Sequence, residues 1–135
     1  MNAVRAAVVD PATHGRVHVL PPTPGPPYDL YRRSDVFVLA SGGENFGLVA
    51  AEAAAVGTPV VVSDRTGVAS AFADGEALVV PYDPDATVAA VERVLTDATL
   101  RTRLSEGALR AAARSTWDGV AAQQEAIYRE AIGAG

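Results

Sequence analysis

Residues 34–63 read SDVFVLASGGENFGLVAAEAAAVGTPVVVS, and this stretch decides the fold. Val36, Phe37, Val38 and Leu39 form one continuous apolar run, and Val60, Val61 and Val62 form another. A strand with one wet face alternates apolar and polar residues. A continuous run suits a parallel strand covered by helices on both faces. Between the runs, Ser41-Gly42-Gly43 reads as a turn. Phe46-Gly47-Leu48 opens an alanine-rich helix over 47–56, which Gly57 stops, with Pro59 just beyond. Strand, glycine turn, helix and strand make the repeating unit of an open parallel α/β sheet.

The rest of the chain extends that unit. Strands are expected at 17–20, 36–40, 59–63 and 77–80, the last ending at Pro81. Helices are expected at 2–9, at 28–33 after the proline-rich loop 21–27, and, as a short turn or helix, at 67–72. From 84 to 95 a stripe of Val88, Val91, Val94 and Leu95 predicts a longer helix, and Leu100, Leu104, Ala108 and Ala111 continue at helical spacing. Ser115 or Thr116 can cap a last helix carrying Val120, Gln124, Ile127, Tyr128 and Ala131 along one face. That face is expected to pack, and a fragment of a larger protein would leave it exposed. No internal repeat is present.

Composition bounds the function. A chain of 135 residues makes one domain, residues 1–135, and 49% hydrophobic residues supply a core. Aromatic residues are 6%, so small side chains dominate that core. The net charge of -5 disfavours a general binder of nucleic-acid phosphates, so no nucleic-acid partner is expected. All 11 cationic residues are Arg, so chemistry that needs a Lys must take it from elsewhere. With no cysteine there is no disulfide and no thiolate metal site, which suits a reducing, cytoplasmic compartment. No apolar run reaches the roughly 20 residues of a membrane span, and residues 1–11 lack the plan of a signal peptide.

Two carboxylates, Glu44 and Glu52, stand in the deciding stretch. Glu44 lies in the turn, and Glu52 lies in a helix that is otherwise almost without polarity. A charge in such a helix either faces water or needs a partner, because an unpaired buried charge is costly. The first amides of the helix have no helical acceptor and carry the positive end of the dipole, which makes an anion site at the carboxyl end of a parallel strand. Two acids around an anion site suit a nucleotide sugar. Glu44 accepts from sugar hydroxyls, the amides near 46–48 hold the diphosphate, and Glu52 accepts from the ribose. Each part has a plainer reading: Gly-Gly turns before helices are common, Glu44 alone is a carboxylate favoured by the helix dipole, and Glu52 alone sits on a solvated edge. The combination is more specific than its parts. His14 and His18 lack a carboxylate cluster and read as surface residues rather than metal ligands. Ser63-Asp64 lacks the G-x-S-x-G turn of a hydrolase nucleophile. Arg32-Arg33 reads as solvated helix surface, with Arg65 as a possible phosphate neighbour.

Ser41, Glu44, Phe46, Gly47, Leu48, Glu52, Ala53, Ala55, Gly57, Pro59, Val60 and Val61 together resemble the signature of the glycosyltransferase group 1 family. These are retaining enzymes of GT-B architecture whose donor domain carries an E-x7-E motif. The flanks at 31–38, Ser63-Asp64, Gly67, 74–81 and Ser115-Thr116-Trp117 resemble it too, so the likeness spans about residues 16–130. It implies a three-layer, Rossmann-like open parallel sheet with helices on both faces, part of a GT-B C-terminal domain. It implies transfer of a sugar from a nucleotide-diphosphate sugar, with no resident cofactor or metal. Carried over by position, Glu44 would bind the donor sugar. Asn45, Phe46, Gly47 and Leu48 would border the sugar and diphosphate, and Glu52 would bind the ribose.

Asn45 replaces a frequent glycine, which is mild because Asn tolerates unusual φ. Thr66 and Ser70 also depart from the usual residues. The family's diphosphate-clamping Arg and Lys are expected upstream, together with the acceptor-binding N-terminal domain. The chain is therefore expected to supply the donor-binding region of a larger protein and to be inactive alone. Its partners would be a nucleotide sugar and the missing domain or a partner chain, with any membrane contact peripheral and made through missing regions. The alternative is a non-catalytic nucleotide- or sugar-binding module, or a half-transferase that needs a second chain.

Overall fold

A computed structural model describes residues 12, 13 and 15–133. The order of elements is α1 (Tyr28–Arg32), β1 (Phe37–Leu39), α2 (Leu48–Ala55), β2 (Val60–Ser63), a 3-10 helix (Gly67–Ala71), β3 (Leu78–Val80), α3 (Pro84–Thr96), α4 (Ala98–Arg114) and α5 (Trp117–Gly133). The three strands lie side by side in the order β1-β2-β3, all parallel. Phe37 pairs with Val60, and Val61 pairs with Leu78.

Strand β2 shows why its sequence is continuously apolar. All four of its residues are buried. Val60 and Val62 point into one core with Tyr31, Ala50, Ala53, Ala54, Val68 and Ala108. Val61 points the other way, into a core with Ala90, Val94, Leu100 and Leu104. Successive strand residues face opposite sides, so two cores on one strand mean helices on both faces. That is the open parallel α/β architecture expected from the sequence. Helix α4 serves both cores, with Leu100 and Leu104 on one side and Ala108 on the other.

Local signals explain the helix ends. Gly57 takes φ 80 after α2. Its N–H donates to the carbonyl of Ala54 at 2.9 Å and that of Thr58 to Ala53 at 3.1 Å, the two bonds of a Schellman stop. Asp83 caps α3, its carboxylate accepting from the Ala86 amide at 2.8 Å, with Pro84 in the first turn. The Thr116 hydroxyl accepts from the Gly119 amide at 3.2 Å at the start of α5.

Three expectations need correction or placement. Residues 17–20 form no strand: Val19 is 63% and Leu20 60% exposed. β-branched residues make a strand only when a ladder is offered, and no described strand pairs with this run. In α3 the buried positions are Ala90 and Val94, whereas Val88 and Leu95 of the expected stripe are exposed. Helix α5 buries no residue, and Val120, Ile127 and Tyr128 of its stripe stand in solvent because no described element covers them. The helix expected at 2–9 lies outside the described residues, as does His14, while His18 is exposed.

The loop between the 3-10 helix and β3 is tied to α4 by one buried carboxylate. Arg114 donates to both oxygens of Glu76, at 2.6 and 2.5 Å, and the Ala73 amide donates to Glu76 Oε2 at 2.9 Å. The hydrogen bonds from Arg114, with help from Ala73, hold the Glu76 carboxyl at about 2, against an ordinary 4.5. Because the folded value is depressed, the stabilisation is complete above pH 4.5 and disappears as pH falls towards 2. Urea midpoints measured across that window should therefore fall with pH, and Glu76→Gln should lower the midpoint at neutral pH and flatten the acid limb. In the same assay Leu104→Ala, which empties a fully buried site, should cost about 2–5 kcal/mol.

Candidate functional site

The carboxyl ends of the strands and the amino end of α2 meet at residues 41–48. The loop after β1 is fastened along its length by the segment after β2. The buried Ser63 hydroxyl donates to the Ser41 carbonyl at 2.5 Å. Glu44 and Thr66 form a parallel bridge. The Gly67 N–H donates to the Glu44 carbonyl at 3.2 Å, and the Val68 N–H to the Phe46 carbonyl at 2.6 Å. A Cβ on Gly67 would lie 2.1 Å from the Asn45 carbonyl oxygen. Only glycine permits so close a backbone approach.

Helix α2 begins at Gly47, which has φ 92 and ψ 51 in the left-handed region. A side chain there would also meet Leu39 Cδ2 at 2.8 Å. No side chain caps this amino end and its first turn holds no acid. The Ala50 amide donates to the Gly47 carbonyl at 2.9 Å, and the amides before it lack a side-chain cap and an acceptor in the preceding turn of helix. Leu48 is 67% exposed beside them, and Phe46 is half exposed over a cavity of about 90 Å³ that Ala51, Ala54, Val68, Phe72 and Ala111 also line.

The two acids differ in setting. Glu44 is exposed, and its backbone is held by Thr66 and Gly67. Glu52 is half-buried on the fifth residue of α2. It lies against Tyr31 of α1, whose hydroxyl is pushed up first by burial, then by the Glu52 charge and a hydrogen bond to that carboxylate. Tyr31 is itself fixed by an edge-on contact with Phe37, ring centroids 5.5 Å apart, and by the Thr58 hydroxyl, which donates to its carbonyl at 2.7 Å. Tyr31 is thus a polar neighbour that the protein itself offers Glu52. One phenol occupies a fraction of the roughly four acceptor positions of a carboxylate, so Glu52 keeps capacity for a ligand hydroxyl. The 90 Å³ cavity reaches Phe46 but neither acid, so Glu44 and Glu52 do not line it.

Lesser candidates resolve simply. Ser63 is 1% exposed and spends its hydroxyl on Ser41, so it is no nucleophile. Arg32 pairs with Asp29 at 3.1 Å on the helix surface, as expected. Arg65 stands in solvent, 3.9 Å from Asp64. Among the described residues no non-glycine has positive φ, so Asn45 does not use its conformational tolerance. Gly42 and Gly43 are likewise absent from the positive-φ positions, so the turn they make does not depend on left-handed backbone. Thr66 is extended and buried, its hydroxyl donating to the Ser63 carbonyl at 2.9 Å. Sequence reasoning missed Tyr31 and the pinning role of Gly67. A tyrosine six residues ahead of a strand carries no chemical signature by itself.

The family described as glycosyl transferases group 1 matches residues 13–111. This chain belongs to that family. A D-inositol 3-phosphate glycosyltransferase of Thermobispora bispora is 40% identical over 119 residues, 86% of this chain and 28% of that protein. One of Acidothermus cellulolyticus is 37% identical over 132 residues, 96% of this chain and 29% of the relative. Among solved structures, sucrose-phosphate synthase from Thermosynechococcus elongatus superposes with a TM-score of 0.65 at 34% identity, covering 78% of this chain and 27% of that one. The chain thus spans less than a third of the length of these relatives. Among the described residues no helix is long and apolar enough to cross a membrane.

The pinning of residues 44–46 makes a direct prediction. Gly67→Ala must displace the Asn45 carbonyl and should cost about 1–3 kcal/mol, as overpacking does. Gly43→Ala, which meets nothing within 4 Å, should stay within about 0.5 kcal/mol of the parent. Chemical unfolding of the two variants measures the difference.

Proposed function

We propose that this chain carries the donor-binding face of a retaining glycosyltransferase. The observation that bears most weight is the uncapped amino end of α2, which lies between Glu44 and Glu52 in the sequence of a chain of this family. In this reading the diphosphate of a nucleotide sugar lies against the amides of Phe46, Gly47 and Leu48, beside Asn45. Glu44 accepts hydrogen bonds from the sugar, and Glu52, steadied by Tyr31, accepts from the ribose. The nucleotide sugar is a substrate, and the reading invokes no further cofactor.

The transfer breaks the bond between the anomeric carbon and a diphosphate oxygen, and the negative charge grows on the leaving diphosphate. Aligned amides stabilise that charge without reorganising. Residues 41–52 contain no Arg, so the remaining stabilisation must come from cations beyond this loop. The isolated chain therefore binds donor but transfers sugar poorly or not at all. The open face of α5, with Trp117 at 89% and Ile132 at 82% exposure, supports a larger assembly in which a further domain or chain completes the enzyme.

Calorimetric titration with nucleoside diphosphates tests the reading. Glu52→Ala should weaken binding about ten- to a hundredfold, the worth of a hydrogen bond to a charged acceptor. Glu44→Ala should leave the nucleoside diphosphate unaffected and weaken only its sugar conjugate. A parent chain that takes up no nucleoside diphosphate at millimolar concentration would sink the donor-site reading and favour a non-catalytic remnant.

A further inference from the structure

The turn at Ser41–Gly43 is held on one side by the Ser63 hydroxyl, and on another by a residue that the donor reading does not use. A Cβ built on Gly42 would lie 2.8 Å from Cζ, 3.0 Å from Cε1 and 3.1 Å from the hydroxyl of Tyr82. The Tyr82 ring is therefore seated on the Gly42 backbone in the space a side chain would fill. Gly42 is needed for this contact and not for its φ, which is outside the positive range.

The backbone that carries Tyr82 is unusually well fixed for a residue 59% exposed. Its N–H donates to Asp64 Oδ1 at 3.0 Å. Pro81 precedes it, and the Asp83 amide that follows donates to the Pro81 carbonyl at 2.7 Å. Asp83 is in turn the cap of α3. Asp64 stands directly after β2, and its own amide donates to the Val80 carbonyl at 2.8 Å. The ends of β2 and β3 thus join to aim one aromatic ring at the turn after β1, two residues before Glu44. An exposed tyrosine gains little from burial there, so rigid support of its main chain calls for another reason.

We propose that Tyr82 is a positioning residue of the donor site: its ring seats the Ser41–Gly43 turn and so sets where Glu44 meets the sugar of the nucleotide sugar. This inference rests on the donor reading above and adds to it a residue and a selectivity. Ser63 and Tyr82 hold the turn that leads to Glu44, whereas Glu52 is held separately by Tyr31. Loss of the ring therefore relaxes the sugar end of the site and leaves the ribose end as it was.

The test uses the chain itself with Tyr82→Ala and Tyr82→Phe. Proton NMR reads the ring-current displacement of the Gly42 α-protons, and hydrogen exchange reads the amides of residues 42–45. Calorimetry reads UDP, GDP and ADP, each against its glucose conjugate. Tyr82→Ala should abolish the ring-current displacement, speed exchange across 42–45 and weaken the sugar conjugate about tenfold, with the nucleoside diphosphate unchanged. Tyr82→Phe, which keeps the ring, should restore all three. With a parent that binds both probes, a Tyr82→Ala chain that matches it in exchange or in the ratio of the two affinities overturns the inference alone. A phenylalanine variant that behaves like alanine does the same. A parent that binds none of the probes overturns the donor reading and takes the inference with it.

Discussion

The fold and the site both depend on strand β2. Its four residues are buried on two faces, so it contributes side chains to both cores. Its end and the residues just after it then do the positioning. Ser63 fastens Ser41, Thr66 and Gly67 hold Glu44, and Val68 holds Phe46. A short strand buried on both faces cannot slip in register without moving each valine into the opposite, differently packed core. Anything fastened to its end inherits that precision. The loop that carries Glu44 is exposed and rich in glycine, yet its main chain is held by a buried rod rather than by its own packing.

How much of this was legible in the sequence follows from where the information resides. The strands 36–40 and 59–63, the helix over 47–56 and its stop at Gly57 were readable because each is fixed by local chemistry: apolar continuity, an alanine run, a left-handed glycine. The observed elements differ from these at their ends by a residue or so. Residues 17–20 read as a strand on local grounds and are none, since a ladder is a property of neighbours. The face of α5 shows the same limit. Its periodicity is real, but whether a stripe is covered depends on what lies opposite. In the candidate site, Glu44 and Glu52 were singled out from their spacing and setting. Tyr31, Gly67 and Tyr82 were not, because their roles arise from contacts between segments 21 to 40 residues apart in sequence.

The site also shows two ways of holding an acid. Glu52 is kept half-buried by a phenol whose own ring and carbonyl are fixed by Phe37 and Thr58. A long chain of rigid supports suits a group that meets a ligand part of constant shape, such as a ribose. Glu44 is exposed, and only its backbone is held. A side chain free to choose its rotamer above a fixed main chain suits hydroxyls whose arrangement differs from one sugar to another. Glu76 is the contrasting case. Its carboxylate is buried and doubly bonded to Arg114, which leaves it nothing to offer a ligand and makes it a structural tie.

The proposed binding of a diphosphate by an acidic chain looks contradictory until the ranges are compared. The net charge of -5 is spread over a surface of 9271 Å². At physiological salt the Debye length is about 8 Å, so most of those charges are invisible from the amino end of α2. Amides in hydrogen-bond contact with a phosphate act at about 3 Å with nothing between, where a low local dielectric multiplies their effect. The local term therefore decides whether an anion is held, and the global charge sets mainly how fast it arrives. The same comparison explains why Glu44 and Glu52 can border an anion site without closing it. In the proposed reading each carboxylate accepts from hydroxyls that a nucleotide sugar carries at either end of its diphosphate.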